Sequence, residues 1–246
     1  MNINISSTPS RLGKNAADLA ATKLKEAIRQ KGVARLLVST GSSQFETLAA
    51  LAESSVDWSC VEVFHLDEYI GLDVTHPASF RKYLYERFIN KINVKAFYPV
   101  DGSDNVSEQI SHLSEEILKK PIDVGLIGIG ENAHIAFNDP PADFDTHKPY
   151  IVVYLDDRCK MQQVNEGWFS SLKEVPAAAI SMSVYQIMQC NIIISSVPHL
   201  VKAEAIAMTL QNDLTNLVPA TILKQHPDWH LFLDKNSASK IITSNS

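Results

Sequence analysis

Apolar positions along the chain alternate between two spacings. Residues 16–28 set Ala16, Ala20, Leu24, Ala27 and Ile28 on one face of a predicted helix, which Lys31-Gly32 ends. Residues 34–39 (ARLLVS) form a short, nearly continuous apolar run, as expected of a strand buried on both faces. Thr40-Gly41-Ser42-Ser43 breaks the run, and Phe45, Leu48, Ala49 and Leu51 then resume helical spacing. The same alternation predicts strands over 61–66, 122–129, 151–155, 192–195 and 229–233, with helices over 79–89, 107–118 and 201–210. Strands separated by helices imply βαβ units. The expected fold is therefore α/β, one domain over 1–246, with a largely parallel sheet covered by helices on both faces. Residues 139–149 (DPPADFDTHKP) read as a loop, and the weakly patterned stretch 157–175 suits a mobile flap.

Composition narrows the function classes. The 246 residues are 45% hydrophobic and 20% charged, enough for a full core. No apolar run approaches the ~20 residues that span a bilayer, and residues 1–10 are polar without a cationic segment leading into an apolar one. No membrane role and a cytoplasmic location are expected. The net charge of −6 argues against a nucleic-acid partner, while a few local donors still suffice for a small anion. Cys60, Cys159 and Cys190 are widely spaced, which fits neither a disulfide framework nor a zinc site.

Ligands of doubly wound sheets bind beyond the carboxyl ends of the strands, and three polar segments fall there. The first, Ser39 and Thr40-Gly41-Ser42-Ser43, is small enough for close backbone approach and leads into a helix, so it is either an anion cradle or an ordinary capped turn. The second carries Asp67 and Glu68 directly after a hydrophobic strand. A charge at a burial-prone position has a partner or a task, and for Glu68 capping the next turn is the better reading. The third, residues 123–141 (DVGLIGIGENAHIAFNDPP), crowds Glu131, Asn132, His134, Asn138 and Asp139 into a glycine-rich loop, where a carboxylate can orient the histidine as general base or acid. His65, Asp67, His134 and Asp139 lack metal-ligand spacing, and no metal is expected. Arg158 and Lys202 each follow a predicted strand, where a cation can clamp a phosphate.

LDEYIGL at 66–72, GENAHIAFNDP at 130–140 and LVPATILKQHPD at 217–228 resemble the glucosamine-6-phosphate deaminases. Their superfamily includes the 6-phosphogluconolactonases and galactosamine-6-phosphate deaminases, and the likeness runs from about residue 34 to 234. It implies a Rossmann-like fold, a sugar-phosphate substrate and a reaction without a cofactor. By the same likeness Asp67 moves a proton between C2 and C1 of the opened sugar. His134 opens the ring with Asp139 orienting it, and Thr40, Gly41, Ser42, Ser43, Arg158 and Lys202 hold the 6-phosphate. Three positions depart from the pattern: Asn132 replaces an Asp, Asp139 a Glu, and TGSSQ stands for TGGTP.

The leading reading is deamination of glucosamine 6-phosphate to fructose 6-phosphate and ammonia. The alternatives are the galacto epimer, a lactonase-type hydrolase, and a sugar-phosphate sensor that binds without turnover. Association into a homo-oligomer is left open by the sequence.

Overall fold

The computed structural model describes residues 1–165 and 167–242, without the side chains of Arg158, Gln162 and Ile242. In chain order the elements begin β1 (Asn2–Ser6), α1 (Pro9–Lys31), β2 (Ala34–Val38), α2 (Phe45–Ala52), β3 (Val61–His65) and β4 (Asp67–Tyr69). There follow α3 (Phe80–Arg87), β5 (Ala96–Tyr98), α4 (Val106–Leu118), β6 (Val124–Leu126), β7 (Tyr150–Tyr154) and α5 (Asp157–Asn165). The chain closes with β8 (Ala178–Met182), α6 (Val184–Ile187), β9 (Ile192–Val197), α7 (Ala203–Gln211), β10 (Trp229–Asp234) and α8 (Ser239–Ile242).

Seven strands form a wholly parallel sheet in the order β1-β10-β9-β6-β2-β3-β5. The apolar runs are continuous because both faces are covered. In β2, Leu36 and Val38 join one core with α1, α2 and α3, whereas Leu37 joins the opposite core with α4, α6 and α7. Successive side chains on a strand point to opposite faces, so each run feeds two cores at once. The expected α/β architecture is the observed one.

Strand order also locates the site. From β2 the chain steps one way to β3 and β5, then returns to β6 on the other side of β2 and continues to β9 and β10. The loops after β2 and β6 therefore diverge, which opens a crevice at the carboxyl edge of the sheet.

One expectation needs correction. The stretch 151–155 was expected in the parallel sheet, but β7 pairs antiparallel with β8, which pairs antiparallel with β4, in a separate three-stranded sheet. The alternating burial of β7, one side half-exposed, is the signature of such a sheet, and its five residues are too few to separate the two cases by pattern. The polar N-terminus is also structured. Asn2–Ser6 is an edge strand, and Thr8 caps α1 by accepting from the Arg11 N–H, with Pro9 in the first turn.

Arg35, 3% exposed, ties the sheet to a helix end. Its guanidinium donates to the carbonyls of Ile117 (2.9 Å), Glu116 (2.6 Å) and Lys120 at the end of α4. It also pairs with Glu62 at 3.4 Å and lies 4.4 Å from the Phe64 ring centroid. Replacing it with Met keeps the apolar stem but strands three carbonyls and Glu62. Urea denaturation is expected to show Arg35→Met less stable by about 3 kcal/mol.

Candidate active site

The loop after β2 is shaped by a few hydrogen bonds. Gly41 sits at φ 100°, a conformation that favours glycine, and its carbonyl accepts from the Gln44 N–H and the Tyr83 hydroxyl. Ser42–Gln44 then form a 3-10 turn that runs into α2. The first N–H groups of such a turn lack helical acceptors and are open to a ligand. Ser39 joins the two diverging loops: its N–H donates to Leu126 of β6, and its Oγ accepts from the Gly128 N–H at 3.2 Å.

Asp67 lies where the chain leaves one sheet for the other, with a single residue, Leu66, between β3 and β4. It is 6% exposed, and burial, reinforced by the neighbouring Glu68 charge, pushes its carboxyl up to about 8. Glu68 is fully buried and accepts from the Ser79 hydroxyl (2.8 Å) and from the N–H groups of Phe80 (3.2 Å) and Arg81 (2.9 Å). It thus caps α3, as its sequence neighbours suggested. Arg81 balances it, 3.4 Å away, and reaches on to Asp101 at 2.5 Å. The adjacent carboxylates have separate tasks: Glu68 is consumed by structure, and Asp67 faces the cleft.

The His134 loop is tightly held. Ala133 and Ala136 on either side of it adopt φ 64° and 51°, a left-handed geometry uncommon for alanine that surrounding contacts must enforce. Gly130 N–H donates to the His134 carbonyl, Ala220 N–H to the Ala133 carbonyl, and the buried Asn138 amide to the carbonyls of Ile135 and Met182, both at 2.9 Å. The imidazole Nδ1 faces two acceptors, Asn132 Oδ1 at 2.6 Å and Asp139 Oδ1 at 3.2 Å. Nδ1 therefore carries the proton, and Nε2 is left as the basic nitrogen. Asn132 Nδ2 closes the triangle by donating to Asp139 at 2.8 Å. Burial opposes ionisation of Asp139, but hydrogen bonding and charge from His134, then Asn132 and Cys159, outweigh it and hold the carboxyl at about 2.

These loops surround one cleft, lined by Thr40, Gly41, Ser42, Ser43, Asp67, His134 and Lys202 among others. Lys202 ends the 3-10 turn after β9. Asn132 and Asp139 act one step back, on the imidazole. The side chain of Arg158 lies outside the described residues. His65, a weighed metal ligand, is instead buried and neutral: its Nδ1 accepts from the Val100 N–H, and burial, then Arg81, lowers it to about 3.

The sequence profile of the glucosamine-6-phosphate isomerases/6-phosphogluconolactonase family matches residues 7–231. The chain belongs to that family. It is 35% identical to a glucosamine-6-phosphate deaminase of Thermoanaerobacter pseudethanolicus, over 98% of this chain and 95% of the relative. The structure of a monomeric glucosamine-6-phosphate deaminase superposes with a TM-score of 0.88 at 27% identity, covering 98% of this chain and all of the other. A 6-phosphogluconolactonase from Shewanella baltica shares the fold, with a TM-score of 0.76 at 19% identity over 95% and 97% of the two chains.

This member of the isomerase/lactonase family also lines its cleft with residues whose place in the site the sequence did not indicate. Cys159 and Gln163 lie one turn apart on α5, and Trp168 follows in the loop. Behind them a satellite core of Tyr69, Phe137 and Phe169 stacks edge to face, with Tyr69–Phe137 and Tyr69–Phe169 centroids 5.1 and 5.5 Å apart. The segment 157–175, expected from the sequence to be a flap, holds α5 and a loop, with Cys159, Phe169 and Val175 in the satellite core.

The departures at 132 and 139 also resolve in structural terms. At these two positions the Asn132 amide bridges ring and carboxylate, accepting from Nδ1 and donating to Asp139. Asn132→Asp would set a second carboxylate within about 3 Å of Asp139, at the distance the amide now bridges. The expected result is a roughly tenfold loss in kcat/KM at pH 8 with partial recovery at lower pH, where one of the pair gains a proton. An unchanged or higher rate would show that the amide donor is dispensable.

Proposed function

We propose that this chain deaminates and isomerises glucosamine 6-phosphate to fructose 6-phosphate and ammonia. The observation that carries the reading is the pairing, across one cleft, of a buried carboxylate with a fixed Nδ1–H histidine, beside a serine-rich anion loop and Lys202. Family membership and the full-length likeness to glucosamine-6-phosphate deaminases agree with it.

The chemistry follows from where the groups sit. The Thr40–Ser43 loop and Lys202 take the 6-phosphate, and this remote binding energy orients C1 and C2 at the opposite end. His134 Nε2 transfers the ring proton that lets the pyranose open to the aldehyde, while Asp139 and Asn132 stabilise the ring through Nδ1. Asp67, ionised, removes the proton at C2 and returns it at C1, converting the 2-amino aldose through an enolamine to a C2 imine. Water adds to that imine, and collapse of the carbinolamine releases ammonia and leaves the ketose.

Ammonia release is to be measured from glucosamine 6-phosphate and galactosamine 6-phosphate, with hydrolysis of 6-phosphogluconolactone in parallel. The reading expects ammonia from the gluco substrate at the higher kcat/KM. A faster galacto reaction would reassign the epimer, and lactone hydrolysis alone would move the chain to the hydrolase branch. Binding without turnover of any of the three would leave a sensor.

A further inference from the structure

We infer that Gln44 is a positioning residue that makes the Ser43 hydroxyl a hydrogen-bond donor to the substrate phosphate, and so sets the loop's preference for an anion. The inference rests on the proposed role of the Thr40–Ser43 loop as the phosphate site.

Gln44 is 1% exposed, an unusual place for an amide unless its hydrogen bonds are met. Its Nε2 donates to Ser43 Oγ at 3.0 Å and to the Ser196 carbonyl at the end of β9 at 3.1 Å. A backbone carbonyl can only accept, so Ser196 dictates which end of the amide carries the nitrogen. The opposite orientation would set two oxygens against each other. Both N–H bonds of the amide are thereby committed, one of them to Ser43. The brace is itself held: the Ser196 hydroxyl accepts from Thr47 Oγ1 at 2.8 Å, and Thr47 lies on the first turn of α2.

A hydroxyl has one proton, and Ser43 Oγ already accepts from Gln44. Among the described residues no group accepts the Ser43 proton, and Ser43 lines the cleft. Ser39 is in the same condition, its Oγ accepting from the Gly128 N–H while its side chain also lines the cleft. The loop thus presents two hydroxyls that each already accept one bond from a protein donor and keep their O–H for a ligand. A phosphate dianion offers acceptors only, so a preset donor suits it. A sugar hydroxyl could bond to an unbiased serine in either direction and would gain little from the bias. Gln44 also stands where the TGGTP pattern has proline, which could not supply this amide.

The test is a double-mutant cycle with Gln44→Met, Ser43→Ala and the combined variant, in the full-length chain. KM and kcat are measured for glucosamine 6-phosphate, with the inhibition constant of inorganic phosphate as the direct probe. Each single change is expected to raise KM and the phosphate inhibition constant about tenfold, the scale of one hydrogen bond to a charged group, with kcat within about threefold. The combined variant should be no worse than either alone, because Gln44 acts through Ser43. Multiplication of the two losses, or an unchanged Gln44→Met beside a weakened Ser43→Ala, overturns the positioning role and leaves the phosphate site standing. If Ser43→Ala leaves the phosphate constant unchanged, the phosphate site itself is misassigned. Gln44→Glu serves if the Met variant fails to fold. Its carboxylate draws the Ser43 proton back and adds a like charge, so a loss of about a hundredfold in phosphate binding is expected, and wild-type binding in that variant would overturn the inference.

Discussion

Asp67→Asn is expected to lose at least about a thousandfold in turnover and, in the same protein, to gain thermal stability at alkaline pH. The first effect follows from the proposed role, since an amide cannot carry the C2 proton to C1, and general-base removal costs about 10²–10⁴ in rate. The second follows from burial. The Asp67 carboxyl rises from 3.8 to about 8, with desolvation as the first cause and Glu68 as the second. A raised acid in the fold means that, between those two values, the native state holds a proton that the unfolded chain has released. Stability therefore falls as pH climbs from about 4 towards 8 and levels off above it. Asn carries no such penalty, so the variant's advantage should grow across that window. A melting temperature about 5 °C higher than wild type at pH 8, with a smaller gap at pH 5, is the expected reading by calorimetry. In the wild type, kcat/KM should rise with pH through an inflection near 8, since the free enzyme's base must ionise to act. A stability gap that stays flat from pH 5 to 9 would show that Asp67 is not buried as an acid.

Gly130→Ala is expected to cut kcat/KM by at least about a hundredfold while leaving the molecule folded. A Cβ at this position would stand 2.2 Å from His134 Cε1 and 2.3 Å from Nε2, where no pair of such atoms can sit. Something must shift, and the imidazole has the open cleft to move into. Its departure breaks the 2.6 Å bond to Asn132 and the 3.2 Å contact with Asp139, so the ring loses both its tautomer and its aim. Small displacements of a catalytic group are enough to cost about 10² in rate. Backbone strain adds little, because Gly130 is not among the residues at positive φ. A variant that melts within about 5 °C of wild type yet releases little ammonia supports the assignment. Undiminished activity would mean that His134 does not need its observed position.

Much of this was legible in the sequence, for identifiable reasons. The strands β2, β3, β9 and β10 announce themselves as apolar runs because each feeds two cores, and their spacing implies parallel crossovers. Asp67 stands out because a charge directly after such a run demands an explanation. The three-stranded sheet was not legible: β4 is three residues long, β7 is half-exposed, and no local signal separates an antiparallel return from another crossover. The N-terminal strand was hidden by its exposure, which makes an edge strand read as a polar tail. Within the site, Gln163 and Trp168 escaped notice, and Gln44 and Cys159 were noted without a role, because their chemistry is ordinary and only the cleft brings them together. The division of labour between Asp67 and Glu68 was half legible, as a capping residue beside a carboxylate of unknown use.

The adjacency of β2 and β3 makes the cleft a ruler. The proposed phosphate loop hangs from the end of β2, and the proposed base follows the end of its neighbour β3, so the span between them is fixed by the hydrogen bonds of the sheet itself. A substrate held by its phosphate presents to Asp67 whichever carbon lies at that reach. On the proposed mechanism this is C2 of a hexose 6-phosphate. Shortening the sugar by one carbon displaces the reacting centre by about 1 Å or more, the scale on which catalytic alignment is lost. On the proposed reading, chain length is measured by a rigid part of the fold, and the identity of the amine and hydroxyl groups is left to the walls.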